Sequence, residues 1–237
     1  MDSIDGVLLV DKGADMTSHD VVAMARRCFR IKKIGHCGTL DPMATGLLIL
    51  VLGKATKIQD LLMSEDKEYA GAMTLGVATS TQDREGKEIE RRDVPEFALE
   101  AVDAAFAKFK GDFYQTPPMV SAIKKNGVPL YKLARQGKTV EREPRLVHVY
   151  HYRIDGMALP EVRFTVLCSK GFYVRTYAHD IGAELGCGAH LSDLRRTRSG
   201  NFSAENALSW EVLKEGRRDE ALERLISLPE VSRLRGG

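Results

Sequence analysis

The sequence predicts an α+β protein with a mixed, largely antiparallel central sheet and flanking helices. Residues 47–52 form a continuous apolar run of strand length, which is typical of a strand buried on both faces. Residues 146–154 and 161–168 alternate between apolar and polar side chains, which predicts two half-buried antiparallel strands. Residues 21–29 and 95–109 carry apolar side chains at helical spacing and predict helices that cover the sheet.

Length and composition set broad limits on the class of protein. The 237 residues are 43% hydrophobic, enough for a sizeable core, and we expect one domain over residues 1–237. The net charge of +2 is too small to indicate a nucleic-acid partner, so basic segments must be found locally. No apolar run reaches the ~20 residues that span a membrane, and the first residues are not a signal peptide. The four cysteines lack metal-ligand spacing, which predicts reduced thiols, no metal site and a cytoplasmic location.

At the start of the chain, residues 6–10 predict a buried strand that presents Lys12 at its end, where we expect it to bind the substrate. Thr17 or Ser18 then caps the first helix, which ends in a basic cluster: Arg26, Arg27, Arg30, Lys32 and Lys33. Cations suit a helix C-terminus because of its dipole, and they equally suit contact with RNA phosphates. The position of the cluster, directly before the motif described next, favours the phosphate contact.

Residues 35–48 read Gly-His-Cys-Gly-Thr-Leu-Asp-Pro-Met-Ala-Thr-Gly-Leu-Leu. Three glycines and Pro42 bend this backbone several times, and the proline restricts Asp41 to an extended conformation. The apolar strand that follows fixes one end of the segment. An isolated Asp-Pro pair would indicate only a turn, but this context predicts a carboxylate held on a rigid loop.

The string resembles the signature loop of the bacterial tRNA pseudouridine synthase B family, Gly-His-x-Gly-x-Leu-Asp-Pro-x-Ala-Thr-Gly. The resemblance implies the pseudouridine synthase fold, with Asp41 as the catalytic aspartate and His36 close to the target base. A strand is predicted over residues 67–76. Its Tyr69 matches a catalytic tyrosine that in the family stacks on the target uracil and can serve as the base that removes the C5 proton. Without the resemblance, a lone strand tyrosine would be read as a core residue.

Two further blocks resemble the family. Residues 111–125 contain Pro117-Pro118 and precede what is an RNA-clasping insertion in the family, here at about residues 117–145. That segment is rich in cations, of which we expect Lys132 and Arg135 to contact RNA, although an exposed helix face would look similar. Residues 169–176 open a helix, and the resemblance makes Arg175 the partner of Asp41 and packs Tyr173 under the site.

Residues 54–63 predict a short helix, residues 82–90 a surface hairpin connection, and residues 186–190 the end of the helix that contains Arg175. Arg195 and Arg196 follow in a block that also matches the family, and we expect them to contact phosphates. The resemblance ends near residue 200. Many family members continue into a small C-terminal RNA-binding (PUA-type) domain, and we expect none here, only polar helix and tail after Trp210.

The resemblance implies isomerisation of the T-loop uridine at position 55 of tRNA to pseudouridine. It implies no cofactor, and the expected partner is the T-arm stem-loop, bound by a monomer without a guide RNA. Two alternatives stay open: a catalytic subunit directed by a guide RNA, and an RNA-binding or tRNA-folding factor whose catalysis is secondary or lost. The expected lack of a C-terminal domain disfavours the first, and an arginine-partnered aspartate disfavours the second.

Overall fold

A computed structural model describes residues 4–121, 124–125, 127–130 and 140–236. The fold is α+β with a mixed, mostly antiparallel sheet and helices, which confirms the predicted class. Contacts divide the chain into a first unit, Met1–Tyr69 with Arg195–Gly237, and a second unit, Ala70–Leu194. The single domain expected over residues 1–237 stays a prediction.

The first unit is built around the apolar run of the sequence. It contains strands β1 (Gly6–Lys12), β2 (Ile34–Cys37), β3 (Thr45–Leu52), β13 (Phe202–Ser203) and β14 (Leu208–Ser209), and the end of β12 (Ala189–Ser199). Strand β1 pairs antiparallel with β3 from Gly6 opposite Leu52 to Lys12 opposite Gly46. Strand β2 pairs antiparallel with the end of β3, and β12 pairs parallel with its start. Because neighbours lie on both sides, β3 is buried from Gly46 onward, as predicted.

Helices cover this part of the sheet. They are α1 (Ser18–Phe29), α2 (Gln59–Met63) after a 3-10 turn (Gly53–Ile58), α5 (Trp210–Glu215), α6 (Arg218–Glu223) and α7 (Leu228–Gly236). Thr17 caps α1 in a reciprocal pair of hydrogen bonds with Asp20. The C-terminal segment is more than a polar tail, since Ile226 exchanges two backbone hydrogen bonds with Val7 and Val231 enters the core cluster with Leu47.

The second unit contains the predicted antiparallel pair, β10 (Arg145–Ala158) and β11 (Glu161–Cys168), in the strand order β4–β11–β10–β7. Its other elements are β4 (Lys67–Leu75), which begins in the first unit, β5 (Val77–Thr79), β6 (Glu88–Arg91), β7 (Gly111–Gln115), β8 (Lys124–Lys125), β9 (Val128–Pro129), α3 (Leu99–Ala107) and α4 (Val174–Glu184). Strands β5 and β6 form the predicted hairpin. Helix α3 is shorter than predicted, because its first turn starts after Ala98 rather than at Pro95.

None of the helices in the described part of the chain is long and apolar enough to cross a membrane.

Candidate active site

Asp41 lies in the loop between β2 and β3, and glycines give this loop its shape. Gly38 and Gly46 have φ angles of +84° and +95°, in a backbone region that residues with a Cβ atom rarely adopt. A Cβ atom at Gly46 would also collide with the backbone oxygen of Arg196. The amide of Ala44 donates to the carbonyl of Asp41 at 3.1 Å and closes a turn around Pro42. The backbone of the loop thus has the bent form that the sequence predicts.

Two buried side chains hold the loop on the side of β1 and α1. The Nζ atom of Lys12, which is only 1% exposed, donates to the carbonyls of Gly13 (2.8 Å), Met16 (2.8 Å) and Pro42 (3.2 Å). The Ser18 hydroxyl accepts from the amide of Leu40 at 2.9 Å and donates to its carbonyl at 3.2 Å. Lys12 is therefore buried and holds the loop by its backbone carbonyls, and its expected contact with the substrate stays a prediction.

A buried arginine supports the same loop from β12. Arg196 is 1% exposed, and its Nε donates to the carbonyl of Leu47 at 2.7 Å while its Nη2 donates to that of Gly38 at 3.1 Å. Its neighbour Arg195 forms a two-point ion pair with Asp11, at 2.9 and 2.8 Å, and stays partly exposed. The guanidinium of Arg196 lies in the core beneath the loop, so the predicted phosphate contact needs correction for this residue. For Arg195, which is partly exposed, the phosphate contact stays a prediction.

We expect Arg196→Lys to lower the melting temperature and the activity together. The single nitrogen of a lysine cannot occupy the positions of both Nε and Nη2, so at least one of the two hydrogen bonds to Leu47 and Gly38 is lost. A lost hydrogen bond to a buried charged group costs roughly 1.5–3 kcal/mol. Thermal unfolding measures this loss, and Arg198→Lys on the same strand, where the side chain is partly exposed, is the matched control. A phosphate contact would instead give normal stability and weaker RNA binding.

His36, the other predicted member of the loop motif, is partly buried on β2. Its ring packs edge-on against His19, with ring centroids 5.3 Å apart. Burial lowers the pKa of His36 from 6.5 to about 4, and the charges of His19 and Arg196 add to this effect. The ring is therefore neutral at neutral pH and suited to packing against a base rather than to binding a phosphate.

The lowered pKa of His36 predicts acid sensitivity of the fold. Because the folded state disfavours the protonated ring, the stability that neutral His36 contributes is complete above pH 6.5 and is lost as the pH falls toward 4. The free energy of unfolding should fall more steeply with acidification in the wild type than in His36→Gln. Urea unfolding across this pH range measures both slopes, and equal slopes would contradict the prediction.

In the second unit, Arg175 lies in the first turn of α4 and is 3% exposed. Its Nη1 donates to Asp83 Oδ2 at 3.2 Å and to the carbonyl of Thr81 at 3.1 Å, and its Nη2 donates to the carbonyl of Val120 at 2.7 Å. Asp83 is itself 2% exposed and accepts from the Thr81 hydroxyl at 2.5 Å and the Glu85 amide at 3.1 Å. This buried ion pair fixes the orientation of the Arg175 side chain.

Asp83 is a residue that the sequence does not reveal. It stands in a polar, charged stretch with a glycine, and such stretches are usually exposed connections, as we predicted for residues 82–90. Burial of one carboxylate in this stretch becomes visible only when Arg175 is placed beside it. Asp83 could have been found only by asking which carboxylate pairs with a buried Arg175, since a buried arginine needs such a partner.

The remaining predicted residues occupy defined places. The backbone of Tyr173, at the start of α4, donates to the Gln115 side chain at 2.8 Å and accepts from it at 3.1 Å, so β7 fixes the beginning of that helix. Tyr69 is buried on β4 in the first unit. Lys132 and Arg135 lie outside the described residues. Within the described ranges, no group of three or more His, Cys, Asp and Glu side chains is arranged to hold a metal ion.

Solved structures share this fold. The chain aligns with a chain of a Cbf5-Nop10-Gar1 complex with a TM-score of 0.69 and 32% identity over 92% of its length. It aligns with an H/ACA RNP bound to a substrate RNA containing 2′-deoxyuridine with a TM-score of 0.66 and 30% identity over 94%. In both comparisons it spans 58% of the other chain.

Sequence comparison gives first the class and then the family. Residues 26–174 match the family model described as TruB family pseudouridylate synthase (N terminal domain), so the class is that of pseudouridylate synthases. Residues 175–230 match the tRNA pseudouridylate synthase B C-terminal domain. The chain belongs to the TruB family. It is 53% identical to tRNA pseudouridine synthase B of Opitutus terrae, over 97% of this chain and 95% of that protein. It is 51% identical to that of Geotalea uraniireducens, over 92% and 72%.

Proposed function

We propose that this chain is a tRNA pseudouridine synthase, an isomerase that converts the T-loop uridine at position 55 of tRNA to pseudouridine. The observation that supports it most is the Asp41 loop, whose backbone is fixed by buried Lys12, Ser18 and Arg196. The proposal is further supported by 53% identity to a protein named tRNA pseudouridine synthase B. Acting on tRNA alone, the enzyme works as a cytoplasmic monomer without a guide RNA.

The reaction needs a carboxylate and no outside reactant. The bond between N1 and C1′ of the uridine breaks, the uracil turns, and C5 bonds to C1′; C5 then loses a proton and N1 gains one. Asp41 either attacks C1′ and is displaced when C5 bonds there, or removes the C2′ proton to give a glycal and returns that proton to C2′ as C5 bonds to C1′. Both routes require its ionised form. A carboxylate on a rigid loop suits either role, because its oxygen stays in position as the base turns.

The other proposed roles follow the family resemblance. Arg175 pairs with Asp41 and favours its charged form, since a neighbouring opposite charge stabilises a carboxylate. Flipping the uridine out of its stack costs a few kcal/mol, of which stacking on Tyr69 recovers ~1–3 kcal/mol. Neutral His36 occupies or braces the vacated position, and Tyr173 packs under the site. Lys132 and Arg135 bind phosphates of the T-arm, together with Arg195.

The cations of the insertion provide a prediction of their own. Each phosphate contact contributes ~0.7–0.9 to the slope of log K against log salt, so Lys132→Ala with Arg135→Ala should flatten that slope by up to about 1.5. Filter binding of tRNA at a series of salt concentrations measures the slope. An unchanged slope would mean that these two side chains are solvated and do not touch the RNA.

The direct test is incubation of the purified protein with an unmodified tRNA transcript, followed by mapping of pseudouridine. Product in the T-loop without another protein or RNA is the expected result. Product that requires an added guide RNA would replace the proposal with the guided alternative. Tight tRNA binding with no product would replace it with an RNA-binding or tRNA-folding role.

A further inference from the structure

The end of α1 carries exposed cations that the proposed reaction does not use. Residues 21–40 contain five Arg and Lys and no Asp or Glu. The Nη2 atom of Arg27 donates to the carbonyl of Lys214 at 3.3 Å, which joins the end of α1 to the end of α5. Arg218 follows the end of α5 closely, since its amide donates to the carbonyl of Gly216 at 2.8 Å. We call the set of five exposed residues here the α1-end surface: Arg30, Lys32, Lys33, Lys214 and Arg218.

These cations lack the carboxylate partners that exposed arginines have elsewhere in the protein. Arg91 pairs with Glu88 at 2.5 Å, and Arg163 pairs with Glu161 at 2.8 Å. Within residues 4–121 and 140–236, no residue of the α1-end surface forms an ion pair with a carboxylate. The charges of Arg30, Lys32 and Lys33 are therefore available to an anionic partner. Lys214 instead lies over the Trp210 ring, 5.1 Å from its centroid, and the two glutamates that pair with Arg217 lie close to Arg218 in the chain.

Arg30 places an exposed cation at the C-terminus of α1. Arg30 ends α1 with φ 58° and ψ 35°, the left-handed region that favours glycine and penalises a residue with a Cβ atom. Glycine would end the helix with less strain, so Arg30→Gly removes the charge without disturbing the helix end. The following turn is held firmly, because the carbonyls of Lys32 and Lys33 accept from the amides of Ile34 (3.1 Å) and Gly53 (2.9 Å).

We propose that the α1-end surface binds phosphates in the stem that carries the target loop of the tRNA. Helix α1 has 12 residues and is therefore about 18 Å long. Its first turn is joined to the loop of Asp41, because Ser18 bonds to both backbone groups of Leu40. The surface thus lies one helix length, roughly 18 Å, from the end of α1 that contacts the Asp41 loop, a separation that suits phosphates of the stem rather than of the target loop. Long flexible cations recognise backbone charge rather than base edges, so this contact adds affinity without sequence preference.

The identity of the RNA rests on the proposed function, whereas binding is measured separately from turnover. The test variant is Arg30→Gly/Lys32→Ala/Lys33→Ala, in which the first change also removes the left-handed strain. The control, Arg91→Gln/Arg163→Gln, removes exposed charges that are already paired with glutamates. Dissociation constants of unmodified tRNA are measured over a range of salt concentrations, with melting temperature and steady-state kinetics beside them. A second substrate is a T-arm whose stem is cut to two base pairs.

We expect the triple variant to bind tRNA roughly tenfold more weakly at moderate salt and to flatten the slope of log K against log salt by about 2, while the control changes little. The loss should appear in Kd and KM rather than kcat, and it should vanish on the shortened stem. An unchanged slope, or an equal loss on the shortened stem, would overturn the proposal and leave the cations as a solvated helix end. Failure of the proposed function would give a different result. The wild-type protein would then form no pseudouridine, independent of how its tRNA affinity varies with salt.

Discussion

Asp41→Asn should reduce pseudouridine formation to less than about one thousandth of the wild-type rate, a loss of more than ~4 kcal/mol of transition-state stabilisation. Asparagine keeps the shape of the side chain but loses the charge that both reaction routes need. The loop backbone should be unaffected, because its bonds to Lys12, Ser18 and Arg196 involve other groups of the loop. Affinity for tRNA should therefore stay within a few fold of the wild-type value.

The matched control for this prediction is Asp15→Asn. Asp15 is exposed, lies against the same loop, and reaches it only through its amide, which donates to the carbonyl of Pro42 at 2.9 Å. Its φ of 59° is one that asparagine tolerates well, so the change removes one charge without altering the backbone. Single-turnover rates on saturating tRNA compare the two variants. An Asp41→Asn enzyme that keeps a tenth of the wild-type rate would exclude Asp41 as the nucleophile.

The parts of the fold that could be predicted from the sequence are those in which one local pattern decides the structure. The apolar run became β3, the alternating pair became β10 and β11, and Thr17 capped α1. Strand β12 was not predicted, because three arginines close together are typical of a surface. Parallel pairing of Arg195 with Thr45 and Arg196 with Gly46 comes from contacts about 150 residues apart in the chain, which no local pattern contains.

The same limit applies to the candidate site. The loop of Asp41 was visible from its glycines and its proline, which act locally. The roles of Lys12 and Arg196 were not, because a basic residue beside a catalytic motif suggests a phosphate contact until its burial is known. Both side chains instead satisfy loop carbonyls that would otherwise be buried without a donor. Asp83 was missed for the converse reason, since its partner Arg175 follows 92 residues later.

Arg175→Lys should lower the turnover rate by roughly 10²–10³-fold, the usual loss when one positioned donor is removed from an active site. The guanidinium donates in three directions, to Asp83, Thr81 and Val120, and a lysine ammonium cannot keep this planar arrangement. If Arg175 also pairs with Asp41, as we propose, the variant loses the group that keeps the catalytic carboxylate charged. Rates on saturating tRNA and melting temperatures are measured together, with Arg163→Lys, an arginine whose side chain is 70% exposed, as the control.

Asp83→Asn separates the two functions of Arg175. This change leaves the guanidinium in place but removes its buried counter-charge, and breaking a buried ion pair typically costs ~3–5 kcal/mol of stability. If Asp83 acts by holding Arg175, Asp83→Asn should lower kcat with little effect on tRNA affinity. The fold loss of kcat in the double variant with Arg175→Lys should then be much smaller than the product of the two single losses. Fully multiplicative losses would mean that the two side chains act independently.

The prediction for Arg175→Lys has its own contrary result. A rate within twofold of the Arg163→Lys control would show that the reaction needs only a positive charge at this position and not the planar guanidinium of the arginine.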